Sequence, residues 1–244
     1  MSVLFNSIKE YPKMIQIIIF KEPKNIAESD FKGRRKCLDT QDDYLTLERS
    51  VRRSRAVIKD LVLCNEFELF CTFTFNPKKY DRYNFNNLKL VMLRWLNNQR
   101  RTNSPALLYL VIPEFHKDGA IHFHALLKNY NGTLNDSKKI SPKGKNKVYN
   151  LPSFRGGFTT CSKIDHNLDA VADYVSKYIT KDLISVFNKN RYFCSKYLKR
   201  PKKVYNKFIW LPSIKNTQKV YEGKYYETYL VENNVDNRKR LMLD

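Results

Sequence analysis

The pattern of apolar and polar residues predicts three strands and a helix in the middle of the chain. Leu69–Phe75 is β-branched and aromatic and is followed by an Asn-Pro turn signal, so it is predicted to be a strand. In residues 87–100 the apolar positions recur at helical spacing, which predicts an amphipathic helix. The apolar runs 107–113 and 121–127 flank a short turn at Gly119. They are predicted to pair as a hairpin.

The next part of the chain predicts a loop, a short strand and a second helix. Residues 130–157 are rich in Asn, Gly, Ser and Lys, which is typical of a loop. Residues 158–163 have the pattern of a strand. A helix capped near Asp165 or Asn167 is then expected to run to about Lys181, with its apolar residues at spacings of three and four. The combined pattern predicts an α+β fold.

Composition adds a preference for polyanions. The chain of 244 residues has 45 Lys and Arg against 24 Asp and Glu, a formal charge of +21, while 42% of its residues are hydrophobic. Such a surface attracts nucleic acid, although ribosomal and membrane-surface proteins show the same excess. The predicted loop has no acidic residue after Asp136, and residues 183–221 have none and interleave ten Lys and Arg with aromatic residues. The residues expected to contact DNA are Lys138, Lys139, Lys143, Lys145, Arg191, Lys196, Lys199 and Arg200.

Several classes of protein are disfavoured. The five cysteines are scattered without CxxC spacing, so we expect reduced, buried thiols rather than disulfides or a zinc site. No signal-like segment and no apolar run long enough for a bilayer is seen, and we expect a soluble protein of the bacterial cytoplasm with no membrane partner. The chain has no GxxxxGK[ST] phosphate loop, so a helicase would have to be a separate protein.

The predicted hairpin carries residues that suit a metal site. Alternate side chains of a strand share a face, so His122 and His124 point the same way, about 7 Å apart along the strand. Glu114 ends the partner strand and supplies a third, hard ligand, while the role of the nearby His116 is ambiguous. A His, His, carboxylate set leaves positions open for substrate oxygens and suits Mn²⁺ or Mg²⁺. Taken alone, a His-x-His pair is more often an incidental exposed pair.

The second predicted helix carries two tyrosines beside its apolar stripe. Tyr174 and Tyr178 are one turn apart, and each is followed three residues later by a lysine, Lys177 and Lys181. A phenolate can attack a phosphodiester to form a 5′-phosphotyrosine, and a nearby lysine can lower the phenol pKa or orient the phosphate. A tyrosine stripe alone is more often packing. The paired lysines and the upstream histidines favour catalysis.

These motifs, in this order, resemble the replication initiators of the HUH superfamily. The motifs are Phe-Thr-Phe in the first strand, Glu-x-His-x-Asp-Gly-Ala-x-His-Phe-His around the hairpin, and Tyr-x-x-Lys-Tyr-x-x-Lys on the helix. The doubled tyrosine motif is similar to the gene A proteins of small icosahedral phages and the gene II proteins of filamentous phages. Residues 191–201 also resemble a segment of that group. The resemblance covers roughly residues 69–201.

The resemblance implies an antiparallel sheet of about five strands with flanking helices, the two histidines lying on its central strand. We therefore expect an endonuclease core at residues 61–185, an extension of unknown role at 1–60 and a basic aromatic extension at 186–244. Glu114 corresponds loosely to a third-ligand position that varies within the superfamily. Two tyrosines imply alternation, in which one holds a nicked 5′ end while the other cuts the regenerated origin.

The main hypothesis is a phage or plasmid initiator that nicks single-stranded DNA at a replication origin, including an origin folded as a hairpin. Helicase and DNA polymerase would come from the host. A transposase with the same chemistry is the first alternative, whereas a relaxase is disfavoured because the tyrosines follow the histidines. The second alternative is a non-catalytic single-strand binding protein, in which the basic aromatic tail binds DNA by stacking and charge.

Overall fold

The computed structural model divides the chain into two compact units, each treated by itself below. The central unit is Thr40–Lys199, and the terminal unit combines Met1–Asp39 with Arg200–Asp244. Within the described residues the two units contain twelve strands and four helices. The structure describes residues 2–26, 42–141, 146–164, 168–179, 191–207, 209 and 217–243.

The central unit is built on a seven-stranded antiparallel sheet in the order β6-β7-β8-β3-β5-β4-β9. Strands β3, β4 and β5 are the three predicted from the sequence, and β4 and β5 pair as the expected hairpin. The elements are α1 Asp42–Asn65, β3 Leu69–Phe75, α2 Phe85–Thr102, β4 Leu108–Phe115, β5 Ile121–Lys128, β6 Asn135–Ile140, β7 Lys147–Asn150, β8 Gly157–Lys163, α3 Leu168–Ser176 and β9 Phe193–Cys194.

Helix α2 packs against one face of this sheet. Asn84 caps its N-terminus by accepting a hydrogen bond from the Asn87 amide, and its apolar side is buried. The Phe73 ring of β3 lies 5.1 Å from the Trp95 ring of the helix, and Phe123 of β5 lies on the same side of the sheet. This aromatic layer forms the main core of the unit.

Helix α3 lies against the opposite face, and α1 packs on α3. Because side chains alternate along a strand, residues that flank Phe123 in β5 and Phe73 in β3 point towards α3. The positions next to Phe123 are His122 and His124. The packing of the sheet between two helices therefore directs both histidines to the α3 side.

Two predictions for the central unit were wrong. The stretch predicted as a loop contains the hairpin β6–β7 at the sheet edge. Strand β6 has the sequence NDSKKI and is almost wholly exposed, so its backbone ladder forms without the apolar alternation that marks a strand. The second helix ends at Ser176 instead of near Lys181, because its end tightens into bonds from the amides of residues 177–179 to carbonyls three residues earlier. The predicted cap at Asp165 or Asn167 lies outside the described residues.

The terminal unit joins both ends of the chain in a five-stranded antiparallel sheet of order β10-β1-β2-β12-β11. Its small core contains Ile8, Ile15, Ile17 and Val231, and the Arg238 guanidinium is 2.8 Å from the Glu10 carboxylate. Its elements are β1 Ser2–Glu10, β2 Met14–Ile26, β10 Lys202–Tyr205, β11 Gln218–Glu222, β12 Tyr226–Glu232 and α4 Val235–Arg240.

The α+β class is confirmed, with a central sheet of seven strands rather than about five. The expected boundaries near residues 60 and 185 stay a prediction about domains. The compact units divide near residues 39 and 199. Cys64, Cys71 and Cys161 are buried as predicted, whereas Cys194 is half-buried and Cys37 lies outside the described residues. None of the described helices is long and apolar enough to cross a membrane.

Candidate active site

The predicted metal ligands come together at the β4–β5 hairpin. Glu114 is the register partner of His122, and its Oε2 lies 2.5 Å from Nε2 of His124, the next residue on the same face. His124 is buried, while His122 is half-buried. His116 is stacked on His122 with ring centroids 5.1 Å apart, and its Nδ1 lies 3.3 Å from Asp118. The hairpin thus groups three imidazoles and one carboxylate.

Strand β3 provides the partners of the other imidazole nitrogens. Thr72 Oγ1 lies 3.1 Å from Nδ1 of His124, and Thr74 Oγ1 lies 3.3 Å from Nδ1 of His122. Each threonine is directly opposite its histidine in the β3–β5 register. Neither threonine was predicted from the sequence as a site residue. Their spacing of two matches that of the histidines, but the pairing register of two strands separated by about 50 residues cannot be read from spacing alone.

The two predicted tyrosines lie next to this hairpin. The Tyr178 ring stacks on the His124 imidazole with centroids 3.8 Å apart and planes 9° from parallel. Tyr174 lies 5.4 Å from Tyr178, edge to face, and makes the same kind of contact with Phe70 of β3 at 5.6 Å. Tyr178 is half-buried, and 44% of Tyr174 is exposed. The structure therefore brings both phenols to the histidine face of the sheet.

Helix α1 fixes the segment that carries the tyrosines. Arg55 Nε donates to the carbonyl oxygen of Ile179, 3.1 Å away, and Lys59 forms an ion pair with Asp173. These contacts bracket Tyr174 and Tyr178 along the chain. No site was predicted in residues 1–60, although Arg55 and Lys59 are four residues apart and so share one helix face.

The surroundings change the protonation of two groups in the site. Burial, a hydrogen bond with Tyr174 and the charges of Tyr174 and Glu114 raise the pKa of Tyr178 well above its usual value. Burial also lowers the pKa of His122, and the neighbouring His116 and His124 lower it further. In the structure described, Tyr178 is therefore a neutral phenol.

The residue types at the hairpin fit a divalent cation better than their present spacing does. Two imidazoles and a carboxylate are suitable ligands, and the Thr72 and Thr74 hydroxyls give the rings the supporting contacts typical of metal-binding histidines. Ligands at right angles around Mg²⁺ lie ~3.0 Å apart, since each bond is ~2.1 Å. The 2.5 Å contact between Glu114 and His124 is shorter than this. Among the described residues, no three His, Cys, Asp or Glu side chains are already spaced as a metal site.

The residues expected to contact DNA lie apart from the histidines. Lys138 and Lys139 are exposed or half-exposed on β6, four strands from β5, a separation of about 19 Å across the sheet. Lys196 and Lys199 are exposed in the segment after β9, and Arg200 is exposed at the start of the terminal unit's second segment. Lys177 is exposed next to the tyrosines. Three further predicted residues lie outside the described part: Lys143, Lys145 and Lys181.

Arg191 has structural contacts. Its Nη1 donates to the Ser50 carbonyl oxygen at 3.0 Å and to Ser54 Oγ at 2.8 Å, both on α1. Burial and the neighbouring Arg53 lower the pKa of its guanidinium. The side chain thus ties the segment before β9 to α1, a contact that a basic pattern in the sequence does not reveal.

The fold and the site define an α+β protein in which an antiparallel sheet presents a His-x-His strand, a neighbouring carboxylate and two tyrosines on one face. Residues 68–183 match a family model whose description is Replication-associated protein ORF2. The match covers a little under half of the chain, and it includes Thr72, Glu114, His124 and Tyr178. No curated protein and no solved structure gives a significant match. The family match supports a rolling-circle replication initiator.

Proposed function

We propose that the chain is an initiator of the HUH type with two tyrosines, which nicks single-stranded DNA at a replication origin and later rejoins the strand. The observation that supports this most directly is the stacking of Tyr178 on His124, whose Nε2 contacts Glu114. A candidate nucleophile, two imidazoles and a carboxylate thus share one face of the sheet. All of them lie within the residues that match the replication-associated family.

In this proposal Glu114, His122 and His124 hold Mn²⁺ or Mg²⁺. When bound, the ion supplies positive charge that polarises the phosphodiester and offsets charge on its non-bridging oxygens. Glu114 separates from His124 by about half an ångström so that both can act as ligands. Phe123, between the two histidines, stays in the core and keeps both rings on the α3 side.

The phenol oxygen of Tyr178 attacks the scissile phosphorus in this proposal, because its ring contacts His124. The bond from phosphorus to the tyrosine oxygen forms as the bond to the 3′ oxygen breaks. The 3′ oxygen takes up a proton, and the 5′ end remains as a phosphotyrosine. Tyr174, more exposed and in contact with Tyr178, serves the second cleavage of the alternating cycle. Lys177 and Lys181 orient the phosphate beside the two phenols.

Binding of the DNA strand is proposed to use the accessible basic residues. Each lysine or arginine that contacts a phosphate contributes through counterion release, and the chain has a formal charge of +21. The residues Lys138, Lys139, Lys196, Lys199 and Arg200 are the described members of this set. The partner is single-stranded DNA at the origin, in the bacterial cytoplasm, and the host supplies helicase and polymerase.

The proposal is tested with single-stranded oligonucleotides that tile the replicon encoding the chain. They are labelled at the 3′ end, because the covalent 5′-phosphotyrosine product retains that end. The purified full chain is incubated with or without Mn²⁺, and products are resolved on denaturing gels. We expect one oligonucleotide to give a labelled protein adduct only with the metal. Peptide mapping of the adduct by mass spectrometry should identify Tyr178 or Tyr174.

The tyrosine variants decide the mechanism. The Tyr174→Phe, Tyr178→Phe double variant should form no adduct, whereas Tyr197→Phe, at a tyrosine that is 77% exposed and outside the site, should behave as wild type. Adduct formed by the double variant at the wild-type rate would contradict the proposal. Salt-dependent binding without cleavage at any metal concentration would favour the non-catalytic single-strand binding protein.

A further inference from the structure

The two threonines of β3 repeat one contact. Thr72 is the register partner of His124, and Thr74 is the register partner of His122. In both pairs the threonine Oγ1 approaches Nδ1 of the ring, at 3.1 and 3.3 Å, and not Nε2. The duplication follows from alternation, because residues two apart in neighbouring strands face the same side in pairs. Two matched hydroxyl contacts to the same ring nitrogen indicate a shared role.

We propose that Thr72 and Thr74 are positioning residues that hold His122 and His124 with Nε2 directed at the metal. This inference rests on the metal site of the proposed function. An imidazole that binds a metal through one nitrogen is oriented by a hydrogen bond at the other, and loss of that bond typically weakens metal binding by about 10–100-fold. The threonines act through the histidines and contact no substrate.

A hydroxyl suits this role because it can both donate and accept a hydrogen bond. The Glu114 carboxylate can only accept, so its 2.5 Å contact puts a proton on Nε2 of His124. In the neutral ring Nδ1 is then an acceptor, and Thr72 donates to it. A metal at Nε2 needs the lone pair there, so the proton lies on Nδ1 and Thr72 accepts. Thr72 can therefore hold His124 in both forms by rotating its hydroxyl, which a carbonyl or carboxylate cannot do.

Strand propensity alone would also explain threonine in β3, so the chain's own control is useful. Thr160 of β8 is opposite Thr72 on the other side of β3 and shares its face. It lies two strands from the histidines. If β propensity were the whole explanation, valine would replace all three threonines equally well, since valine keeps the β-branched shape and removes only the hydroxyl.

The test is the affinity of the purified full chain for Mn²⁺, measured by isothermal titration calorimetry. The Thr72→Val, Thr74→Val variant should bind Mn²⁺ about 10–100-fold more weakly than wild type. The Thr72→Ser, Thr74→Ser variant, which keeps both hydroxyls, should retain wild-type affinity, and so should Thr160→Val. If circular dichroism shows that the double valine variant is unfolded, Thr72→Val and Thr74→Val are measured singly, each with an expected loss.

A second readout follows the rings without metal. Nitrogen-15 NMR of histidine-labelled protein should show the proton of His124 on Nε2 in wild type. Equal Mn²⁺ affinity for the valine and wild-type proteins, or serine variants as weak as valine variants, would overturn the inference and leave the proposed metal site intact. A wild-type chain that binds no Mn²⁺ would overturn both.

Discussion

The phenylalanine between the two histidines offers the sharpest stability test. Phe123 is 0% exposed, and its ring meets Phe75 at 5.4 Å, Phe193 at 5.6 Å and Phe85 at 6.1 Å between centroids, each edge to face. The change is Phe123→Ala. It removes the ring from the centre of this cluster, while His122 and His124 on the opposite face keep their own side chains.

The expected cost follows from this packing. Truncating a buried phenylalanine to alanine costs about 3–5 kcal/mol, because transfer energy is lost and a cavity remains. Each edge-to-face partner adds to the normal burial energy, so we expect the upper half of that range. A domain is stable by only about 5–15 kcal/mol, so this one change would remove a large part of the total. At about 2–4 °C per kcal/mol, the melting temperature should fall by roughly 6–20 °C.

The assay is urea unfolding followed by circular dichroism, with Phe158→Ala as the matched control. Phe158 is on β8 of the same sheet but is 55% exposed, so its truncation should change the unfolding free energy by less than about 0.5 kcal/mol. A loss below about 1 kcal/mol for Phe123→Ala would refute the view that this residue anchors β5 in the core. Equal losses for the two variants would refute it too.

Two further predictions concern the basic residues. Arg191→Ala should lower the unfolding free energy by about 1–3 kcal/mol in the same urea experiment, because the Ser54 hydroxyl and a neighbouring carbonyl lose their charged donor, whereas the exposed Arg200→Ala should cost less than about 0.5 kcal/mol. If Arg191→Ala keeps full stability and weakens only DNA binding, the structural role is wrong. The Lys138→Ala, Lys139→Ala variant should reduce the salt slope of oligonucleotide binding by about 1.4, measured by fluorescence anisotropy at increasing KCl, and an unchanged slope would exclude both lysines from phosphate contact.

Much of the central unit was predictable from local patterns. The strands β3, β4 and β5 and helix α2 have apolar residues at the period of their own structure, so each could be identified alone. The hairpin at β6–β7 was missed because its outer strand is exposed and polar. The end of α3 was misplaced because apolar spacing continues to Ile179 while the hydrogen bonds already shorten after Ser176.

The terminal unit shows where local patterns stop being informative. Asn6 and Lys207 are hydrogen-bonded although 201 residues separate them, and β2 pairs with β12 from the other end of the chain. Nothing in residues 1–60 indicates such a partner, because pairing of distant strands depends on the whole topology. The expectation of two separate extensions had no local signal against it.

For the candidate site, the sequence by itself determined which residues share a face and how they are spaced. Alternation in β5 gives His122 and His124, and helical spacing gives Tyr174 and Tyr178. Only the tertiary structure decided that Tyr178 stacks on His124, that the threonines of β3 contact both rings, and that Arg55 holds the tyrosine segment. The reason is physical: periodicity fixes the direction of a side chain within its own element, whereas contacts between elements depend on strand register and helix packing.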